Sequence, residues 1–437
     1  MKKIIPLIFI VLFLAMGLTL SLGISFVGPS QAGANERLSD PPALFSKDGT
    51  LNDRFLYDTS TWFNDHFFLR QELISFHNQL NASLFHTSEK DSVILGTDGW
   101  LYYGSTLNDY SGLDPMSDRE LYAAARNLEL MAEYCRNNGK SFAFMIAPNK
   151  NSLYPQNMPD YGAVSTCHDA KKILSMLEDV QIIDLFETFS AENEILYFQT
   201  DSHWNSKGAA LGADLINQAF GKESAYYKAA FTQTTDYTGD LYEMLYPACI
   251  GHETQYHYQG NLNFTFASKA TQPDSITLLT ESPQSGSLLA YRDSFGNLLY
   301  PYLADSYGSV RFSRSTSYDL TPDYDHILIE LVERNLRYLI TYVPVMPSPA
   351  RQISIPEYAE GSTILTQKPK ANAPDGLTSW TGQLQTEADD HVYILCDATL
   401  YEAFLTADGF SVYLPQDATP TDVIVGNDLN TIRYTIH

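Results

Sequence analysis

The sequence predicts an α/β protein with a doubly wound, mainly parallel sheet, preceded by a membrane helix and followed by a small all-β module. Three observations support this prediction: an uncharged apolar run near the amino terminus, alternating helical and apolar segments over about 117–345, and three prolines within 344–349 followed by β-rich stretches. Strand–helix alternation is typical of a parallel sheet with helices on both faces. We therefore expect an anchor over 1–30, a linker over 31–50, an α/β body over 51–345 and a β module over 346–437.

Composition excludes several classes of function. With 437 residues, 44% hydrophobic and 13% aromatic, the chain can build two packed domains and is not a disordered protein. Its formal net charge of -25 disfavours nucleic acid, whose phosphates require a basic surface. The charge also disfavours docking on anionic lipid, but it is compatible with a neutral glycan. No glycine-rich phosphate loop is present, and we expect no cofactor.

The amino terminus predicts a membrane anchor. Lys2 and Lys3 precede an uncharged run from Ile4 to Phe26, which is longer than the apolar core of a cleaved signal and long enough to cross a bilayer. Positive charge before the run predicts an internal amino terminus and an extracytoplasmic body. The small-residue motif AGA at 32–34 supports the alternative, a secreted protein released by cleavage.

The elements of the body follow from periodicity and end signals. Apolar residues at helical spacing predict one helix over 58–85, and the glycines within 96–102 predict a tight turn. Ser117 and Glu120 form a capping box that begins a helix ending near Asn138. We expect strands at 142–147, 180–185, 288–291 and 326–330, and helices over 168–178, from Asn205 to about 220 and over 297–304.

Two further regions differ from this pattern. Residues 221–280 are rich in Tyr, Thr and Gln with weak periodicity, and we interpret them as an irregular insertion at the rim of the site. After the prolines, strands are expected at 362–365, 392–396, 410–414 and 431–436. The four cysteines form no C-x-x-C pair, so disulfides and isolated thiols both remain open.

The first candidate site motif is TDSHWN at 200–205, between an extended stretch and a helix. A carboxylate two residues before a histidine can hold the imidazole in one tautomer, as nucleophilic catalysis requires. On this interpretation Asp201 orients His203. The alternative is that Asp201 caps the helix and His203 packs on the surface.

The second motif is AYRDSFGN at 290–297, where an apolar strand runs into a polar turn and a helix. Ser294 would lie at a helix amino terminus, where free N–H groups stabilise a developing oxyanion. Gly296 would leave room for a substrate carbonyl. The alternative is that Asp293 or Ser294 only caps the helix.

The two motifs together predict a nucleophile, a base and an orienting carboxylate: Ser294, His203 and Asp201. Both motifs follow strands on their carboxyl side, where doubly wound sheets bind ligands. A weaker alternative site is H-E-x-x-x-H at 252–257, whose spacing differs from that of a helical zinc site. We therefore expect no metal.

The order D-x-H-W-N and then R-D-S-F-G resembles the SGNH hydrolase-like domain of the alginate O-acetyltransferases of the AlgX and AlgJ type. It is also similar to their Gram-positive relatives named for a DHHW motif. Stretches at 65–70, 96–101, 147–150 and 330–336 share the resemblance, which covers roughly 50–345. Ser202 replaces the second residue of the DHHW motif, a change we expect not to matter.

The resemblance implies an acyl-enzyme on Ser294, with His203 as general base and Asp201 orienting it. It also implies a membrane-bound O-acyltransferase as acyl donor and a polysaccharide or cell-wall glycan as acceptor. Asn149, Lys150 and Arg334 fall in family-like stretches and would line the pocket or contribute an oxyanion donor; turn formation and surface pairing are the alternative.

Three functions follow from these observations: an extracytoplasmic O-acetyltransferase, an acetyl esterase with the same residues, and a non-enzymatic scaffold of a surface assembly. The β module would bind glycan or pack on the body.

Overall fold

A computed structural model describes residues 4–33, 36–162, 167–352, 359–363, 366–367, 373–384, 386–427 and 431–436. Lys2, Lys3, Ala34 of the small-residue motif and residues 364–365 of one predicted strand lie outside these residues.

The chain begins with an apolar helix, α1, over Ile4–Phe26. Its stretch Ile8–Phe26 has a mean hydropathy of 2.4 and is 6% buried, so it is long and apolar enough to cross a membrane. A signal sequence has the same properties. The helix therefore fits both a membrane anchor and a signal.

The single helix predicted over 58–85 is wrong, because the structure has two helices, α2 (Phe55–His66) and α3 (Arg70–Phe85). They are separated where Leu69 adopts a left-handed conformation with φ of 62°. The backbone N–H of Phe68 donates to the Leu20 carbonyl of α1 instead of continuing a helix. A tertiary contact thus ends α2 without a glycine or proline.

The predicted tight turn is confirmed. It joins β1 (Val93–Leu95) to β2 (Leu101–Tyr103) in an antiparallel hairpin. Asp98 and Gly99 in this turn have φ of 53° and 81°. The left-handed conformation at Gly99 carries no steric cost because glycine lacks a Cβ.

The α/β body contains the remaining predicted helices and strands. Its helices are α4 (Leu107–Ser111), α5 (Asp118–Asn137), α6 (Lys150–Leu153), α7 (His168–Met176), α8 (Leu185–Ala191), α9 (Ser206–Ala219), α10 (Asp240–Leu245), α11 (Gly296–Ser306) and α12 (Tyr338–Thr341). Short 3₁₀ turns lie at Gly104–Thr106, Pro155–Asn157 and Glu333–Asn335. Its strands are β3 (Ser141–Ala147), β4 (Gln181–Asp184), β5 (Phe231–Tyr237), β6 (Glu253–Tyr258), β7 (Thr265–Phe266), β8 (Thr277–Glu281), β9 (Ser287–Tyr291), β10 (Ser309–Ser313) and β11 (His326–Val332).

The central sheet has the order β4-β3-β11-β9-β10-β8-β7. The five strands from β4 to β10 are parallel to one another, and β8 and β7 add an antiparallel edge. One hydrophobic cluster joins α5 and α7 to one face, and a second joins α9 and α11 to the other. The predicted doubly wound, mainly parallel sheet is therefore confirmed.

The interpretation of 221–280 as irregular is wrong. The segment contains the antiparallel pair β5 and β6, the helix α10 between them, and the sheet strands β7 and β8. The side chains of β5 are mostly exposed, which explains the absence of an apolar pattern in its sequence.

The carboxyl-terminal part is all-β, as predicted. Its strands are β12 (Ala350–Arg351), β13 (Ala359–Thr363), β14 (Thr366–Gln367), β15 (Leu377–Gln383), β16 (His391–Cys396), β17 (Thr399–Glu402), β18 (Phe404–Thr406), β19 (Gly409–Pro415), β20 (Pro420–Gly426) and β21 (Thr431–Ile436). They form a six-stranded sheet, β12-β17-β16-β20-β21-β13, and a four-stranded sheet, β14-β15-β19-β18.

These strands pack directly on α5. The fully buried side chain of Asn127 donates to the carbonyls of Leu339 and Leu405 at 3.0 and 2.9 Å, and accepts from the Leu405 N–H at 2.9 Å. One hydrophobic cluster includes residues of α5, β3 and β19. The β strands thus share a core with the α/β body, and a boundary at 345 remains a prediction.

Candidate active site

The turn after β9 is held rigidly by the side chain of Asp293. Its Oδ1 accepts from the N–H of Phe295 at 2.9 Å, and its Oδ2 accepts from the N–H of Val332 at 2.8 Å and from Asn335 Nδ2 at 2.9 Å. Asp293 thus ties the end of β9 to the end of β11. Ser294 follows at the carboxyl edge of the sheet, in front of α11.

The structure brings Ser294, His203 and Asp201 into one chain of hydrogen bonds. The Oγ of Ser294 lies 2.8 Å from His203 Nε2, and His203 Nδ1 lies 2.8 Å from Asp201 Oδ1. With the proton on Nδ1, His203 donates to Asp201 and accepts from the serine hydroxyl. This geometry suits transfer of the serine proton to the imidazole as the hydroxyl attacks.

Asp201 is buried and fully hydrogen-bonded. Its Oδ1 also accepts from the N–H of His203 at 2.9 Å, while its Oδ2 accepts from the hydroxyl of Tyr237 at 2.7 Å and from the N–H of Asp240 at 2.9 Å. Burial raises the pKa of Asp201, but the hydrogen bond and charge of His203 lower it by a larger amount. The pKa of Asp201 therefore lies below its usual range. Asp201 is therefore ionised.

A second carboxylate, Asp240, faces the same histidine. Its Oδ1 accepts from the N–H of Ser202 at 2.7 Å, its Oδ2 accepts from the Ser202 hydroxyl at 2.6 Å, and Oδ2 lies 3.7 Å from His203 Nδ1. Burial lowers the pKa of His203, but the hydrogen bond and charge of Asp201 and the charge of Asp240 raise it above its usual value.

Sequence reasoning missed Asp240 because it lies in the segment interpreted as irregular and belongs to no motif. It also gave no role to Ser202, whose hydroxyl lies 3.1 Å from His203 Nδ1 and links that histidine to Asp240. Nothing in the sequence positions of Ser202 and Asp240 indicates that Asp240 contacts Ser202 and lies near His203.

Lys150 supports the loop before the histidine. Its ammonium donates to the carbonyls of Phe198, Gln199 and Asp201 at 3.1, 2.9 and 2.6 Å. Burial lowers the pKa of Lys150 to about 8. Because three carbonyls occupy its three donors, the ammonium contacts the main chain that carries Asp201 and makes no described hydrogen bond to Ser294.

Glu253, in the weak H-E-x-x-x-H pattern, supports the same loop. Its carboxylate accepts from the N–H groups of Gln199 and Thr200 and from the Thr200 hydroxyl. His257 of that pattern instead contacts the Thr234 hydroxyl through Nε2 at 2.9 Å.

Asn149 and Arg334 meet each other beside the site. Arg334 Nη1 donates to Asn149 Oδ1 at 3.3 Å, and the guanidinium lies 5.5 Å from the ring of Phe295. That ring is 4.9 Å from the ring of His203. The amide of Asn149 donates to Asp109 at 2.7 Å, and burial followed by the charge of Asp169 raises the pKa of Asp109 to about 6.

The backbone N–H of Ser294 has no hydrogen-bond acceptor among the described residues, so it is free to donate to a substrate oxygen. The expectation for Gly296 is wrong. A Cβ there would lie 2.2 Å from Arg292 Cδ, so the space beside the glycine is filled by Arg292 and not left for a substrate.

A cavity of about 670 Å³ borders the loop that precedes Asp201. Gln199 and Thr200 of that loop line it, together with Trp100, Tyr242 and Tyr256, whereas Ser294 and His203 do not. The segment 221–280 therefore contributes to the surroundings of the site, through both this cavity and Asp240.

Asp201, His203 and Asp240 are also the described residues whose ligand atoms cluster within 4.8 Å, as in a metal site. Each carboxylate oxygen of the cluster already accepts a hydrogen bond from a protein donor. The donor set therefore fits a hydrogen-bonded catalytic group better than a metal centre.

Comparison with known protein families gives a match over part of the α/β body, which ends before Ser294. Residues 93–290 match the family described as "SGNH hydrolase-like domain, acetyltransferase AlgX". No curated protein matches the sequence. The resemblance predicted from the two motifs is confirmed.

Several solved structures match the chain at low sequence identity. Bacillus cereus PatB1 is 20% identical, with a TM-score of 0.45 over 55% of this chain and 95% of that protein. A DHHW family protein from Eubacterium siraeum is 17% identical, with a TM-score of 0.43 over 58% and 99%. The O-acetyltransferase domain of Pseudomonas putida AlgJ is 16% identical, with a TM-score of 0.37 over 56% and 92%.

Proposed function

We propose that the protein is an extracytoplasmic O-acetyltransferase, because residues 93–290 match the SGNH hydrolase-like domain of the acetyltransferase AlgX. Its acceptor is a cell-surface or exported polysaccharide, or a cell-wall glycan. The observation that carries the proposal is the hydrogen-bonded series Ser294–His203–Asp201, with 2.8 Å at each step.

In the first half-reaction, Ser294 Oγ attacks the acyl carbon of the donor as His203 Nε2 takes the hydroxyl proton. The bond from the acyl carbon to the leaving group then breaks, and His203 returns the proton to that group. The N–H of Ser294 and the amino terminus of α11 support the negative charge on the carbonyl oxygen.

In the second half-reaction, a sugar hydroxyl attacks the acetyl-serine, and His203 takes its proton. The ester bond to Ser294 breaks, and the proton passes to the serine oxygen. Asp201 keeps the imidazole in the required tautomer and stabilises its charged form.

In this proposal α1 remains as a single-pass anchor, so that the body lies outside the membrane beside its donor. The donor is a membrane-bound O-acyltransferase that passes acetyl groups across the bilayer. Release after signal cleavage is the competing location. We propose the boundaries 1–30, 31–50, 51–345 and 346–437 for the anchor, linker, catalytic domain and β module.

Asn149 and Arg334 are proposed to border the acyl site, because the Arg334 guanidinium lies over the ring of Phe295, the residue after the nucleophile, and Asn149 accepts a hydrogen bond from Arg334. Lys150 is proposed to act through the loop that carries Asp201, since all its donors contact that loop or its neighbours.

Acetyl-ester hydrolysis is the second candidate function. The side chain of His203 is 22% exposed, so water can reach the base as a sugar hydroxyl would. A scaffold without activity has less support, because all three side chains keep the contacts that catalysis needs.

The test is intact-protein mass spectrometry after incubation with an activated acetyl ester. We expect one acetyl group on Ser294 and its transfer to an acceptor oligosaccharide. Ser294→Ala should abolish the adduct, whereas the control Ser190→Ala, which removes an exposed hydroxyl, should keep it. Release only as acetate would favour the esterase, and a folded wild-type protein without any adduct would contradict both enzymatic functions.

A further inference from the structure

Helix α3 buries two polar side chains and exposes most of its large apolar ones. Its buried residues are Ser75 and Asn78. Four of its exposed apolar residues recur at intervals of three and four, which places them on one face of the helix. They are Leu73, Phe76, Leu80 and Leu84, with exposed fractions of 40%, 59%, 42% and 67%, whereas the exposed Phe85 ends the helix outside this face. A surface helix of a water-soluble protein has the opposite polarity.

Hydrogen bonds fix the orientation of α3. The side chain of Asn78 donates to the carbonyl of Leu245 at 2.7 Å, and Ser75 Oγ accepts from the N–H of Ala248 at 2.9 Å. Rotating the helix to bury its apolar face would break both bonds and leave buried polar groups without partners. The two hydrogen bonds therefore keep Leu73, Phe76, Leu80 and Leu84 on the outer face of the helix.

The start of α3 touches the end of the apolar helix α1. The N–H of Phe68 donates to the Leu20 carbonyl at 3.3 Å, and a Cβ on Gly23 would lie 2.3 Å from the ring of Phe68. Leu20 lies about 9 Å from the end of α1 at Phe26, given 1.5 Å per residue. If α1 spans a bilayer with Phe26 at the outer hydrocarbon boundary, Phe68 lies about 9 Å below that boundary, within the outer leaflet.

The charges around α3 suit an uncharged lipid surface. Arg70, at the start of the helix, is bound by both carboxylate oxygens of Glu36, at 2.6 and 3.1 Å. No other lysine or arginine occurs in α3. Attraction to anionic headgroups is therefore weak, and burial of apolar side chains is the available source of binding energy.

We propose that α3 lies in the outer interface of the bilayer, with Leu73, Phe76, Leu80 and Leu84 facing the acyl chains of zwitterionic lipids. Together with α1 it forms one unit that seats the body on the membrane. This inference rests on the proposed retention of α1 as an anchor, and it does not depend on the enzymatic activity.

Spin-label accessibility in the full-length chain tests the inference. The protein is reconstituted at low density in phosphatidylcholine vesicles, on a Cys249→Ser background that removes the partly exposed thiol. A nitroxide is attached at Leu80→Cys, at Ile10→Cys in α1 and at Asp179→Cys, an exposed position next to the start of β4. Because all three side chains are exposed, the substitutions leave the packed core unchanged.

We expect the Leu80 label to be relaxed by oxygen severalfold more than by a water-soluble nickel chelate, as at Ile10, with the reverse at Asp179. A Leu80 label that behaves like Asp179 while Ile10 reports lipid would overturn the inference and leave the anchor standing. Aqueous behaviour at both Leu80 and Ile10 would overturn the inference and the anchor together.

The vesicles hold no partner protein, so lipid is the expected source of the protection. Repeating the measurement after tenfold dilution of the protein in lipid separates lipid from a second copy of the chain. Protection at Leu80 that disappears on dilution would assign the face to self-association and contradict the inference.

Discussion

His203 lies between a serine hydroxyl and two carboxylates that differ in their contacts. Asp201 touches the imidazole directly, whereas Asp240 Oδ2 is 3.7 Å away and reaches it through Ser202. Burial raises the pKa of Asp240, and the charge of Asp201 raises it further. The two acids therefore have different roles, one orienting the ring and the other adding negative charge beside it.

Replacing Asp240 by Asn should shift the acid limb of the pH–rate profile to lower pH. His203 must be neutral to accept the serine proton, so acyl-enzyme formation falls as pH drops through its raised pKa. Removing the charge of Asp240 lowers that pKa, while the amide still accepts a hydrogen bond from Ser202. The measurement is the rate of acetyl-Ser294 formation between pH 5 and pH 9.

An unchanged acid limb with a uniformly lower rate would contradict a charge effect and indicate a purely structural role for Asp240. Glu243→Asn on the exposed face of α10 is the matched control, since it removes a carboxylate from the same helix without touching Ser202.

At the scale of elements, α5 illustrates a helix whose start can be predicted and tested. The hydroxyl of Ser117 accepts from the N–H of Glu120 at 3.2 Å, and Glu120 accepts from the N–H of Ser117 at 2.8 Å. The structure therefore confirms the capping box.

Ser117→Ala should lower the free energy of unfolding by about 1 kcal/mol, because an N–H of the first turn loses its acceptor. Chemical denaturation followed by circular dichroism measures the change, with Ser83→Ala on the exposed face of α3 as a control. Equal free energies of unfolding for the two variants would show that the cap does not contribute to stability.

Local sequence signals predicted the parallel strands and their helices well. The apolar run of β3 and the capping box of α5 are each specified by adjacent residues. The break between α2 and α3 was not predictable in this way, because Leu69 is left-handed only where Phe68 binds α1. The pair β5 and β6 escaped notice because most side chains of β5 are exposed and leave no apolar alternation in its sequence.

Some residues of the candidate site could likewise be predicted from local sequence signals, and others could not. Asp201, His203 and Ser294 were predictable because each belongs to a motif, and Ser294 also follows the strand β9. The strand expected before Asp201 is wrong, because the chain there forms only an isolated bridge between Tyr197 and Trp204. Asp240 and Tyr237 contact Asp201 only through the tertiary fold, so no spacing in the sequence marks them.

At the scale of the whole molecule, buried ion pairs join α5 to the carboxyl-terminal strands. Glu402 accepts from Arg126 Nε at 2.8 Å, from Arg351 Nε at 2.7 Å and from His391 Nδ1 at 3.0 Å. Burial raises the pKa of Glu402, but the bonds from His391 and Arg126 lower it to about 2 overall. We therefore expect the β strands and the α/β body to unfold as one cooperative unit.

Glu402→Gln should therefore destabilise the whole protein at pH 7, by an amount on the order of 3 kcal/mol. The folded-state pKa of Glu402 is depressed, so its contribution is present above the unfolded value of 4.5 and is lost as pH falls towards about 2. Urea unfolding should show the difference from wild type shrinking over that interval.

The exposed substitution Glu178→Gln should leave stability nearly unchanged at every pH. If Glu402→Gln unfolded the β strands in a separate, earlier transition, the proposed single unit would be wrong.

The reversed polarity of α3 also affects how a water-soluble form of this protein should be prepared. Cutting the chain after α1 leaves the ridge of Leu73, Phe76, Leu80 and Leu84 uncovered, and such surfaces cause aggregation. Cutting after α3 instead removes Asn78 and Ser75, which bind the Leu245 carbonyl and the Ala248 N–H at the end of α10. Helix α10 begins with Asp240, so its position depends on these bonds. Replacing these four apolar residues by glutamine while keeping Ser75 and Asn78 should yield soluble protein in which α10, which begins with Asp240, keeps its hydrogen bonds to α3.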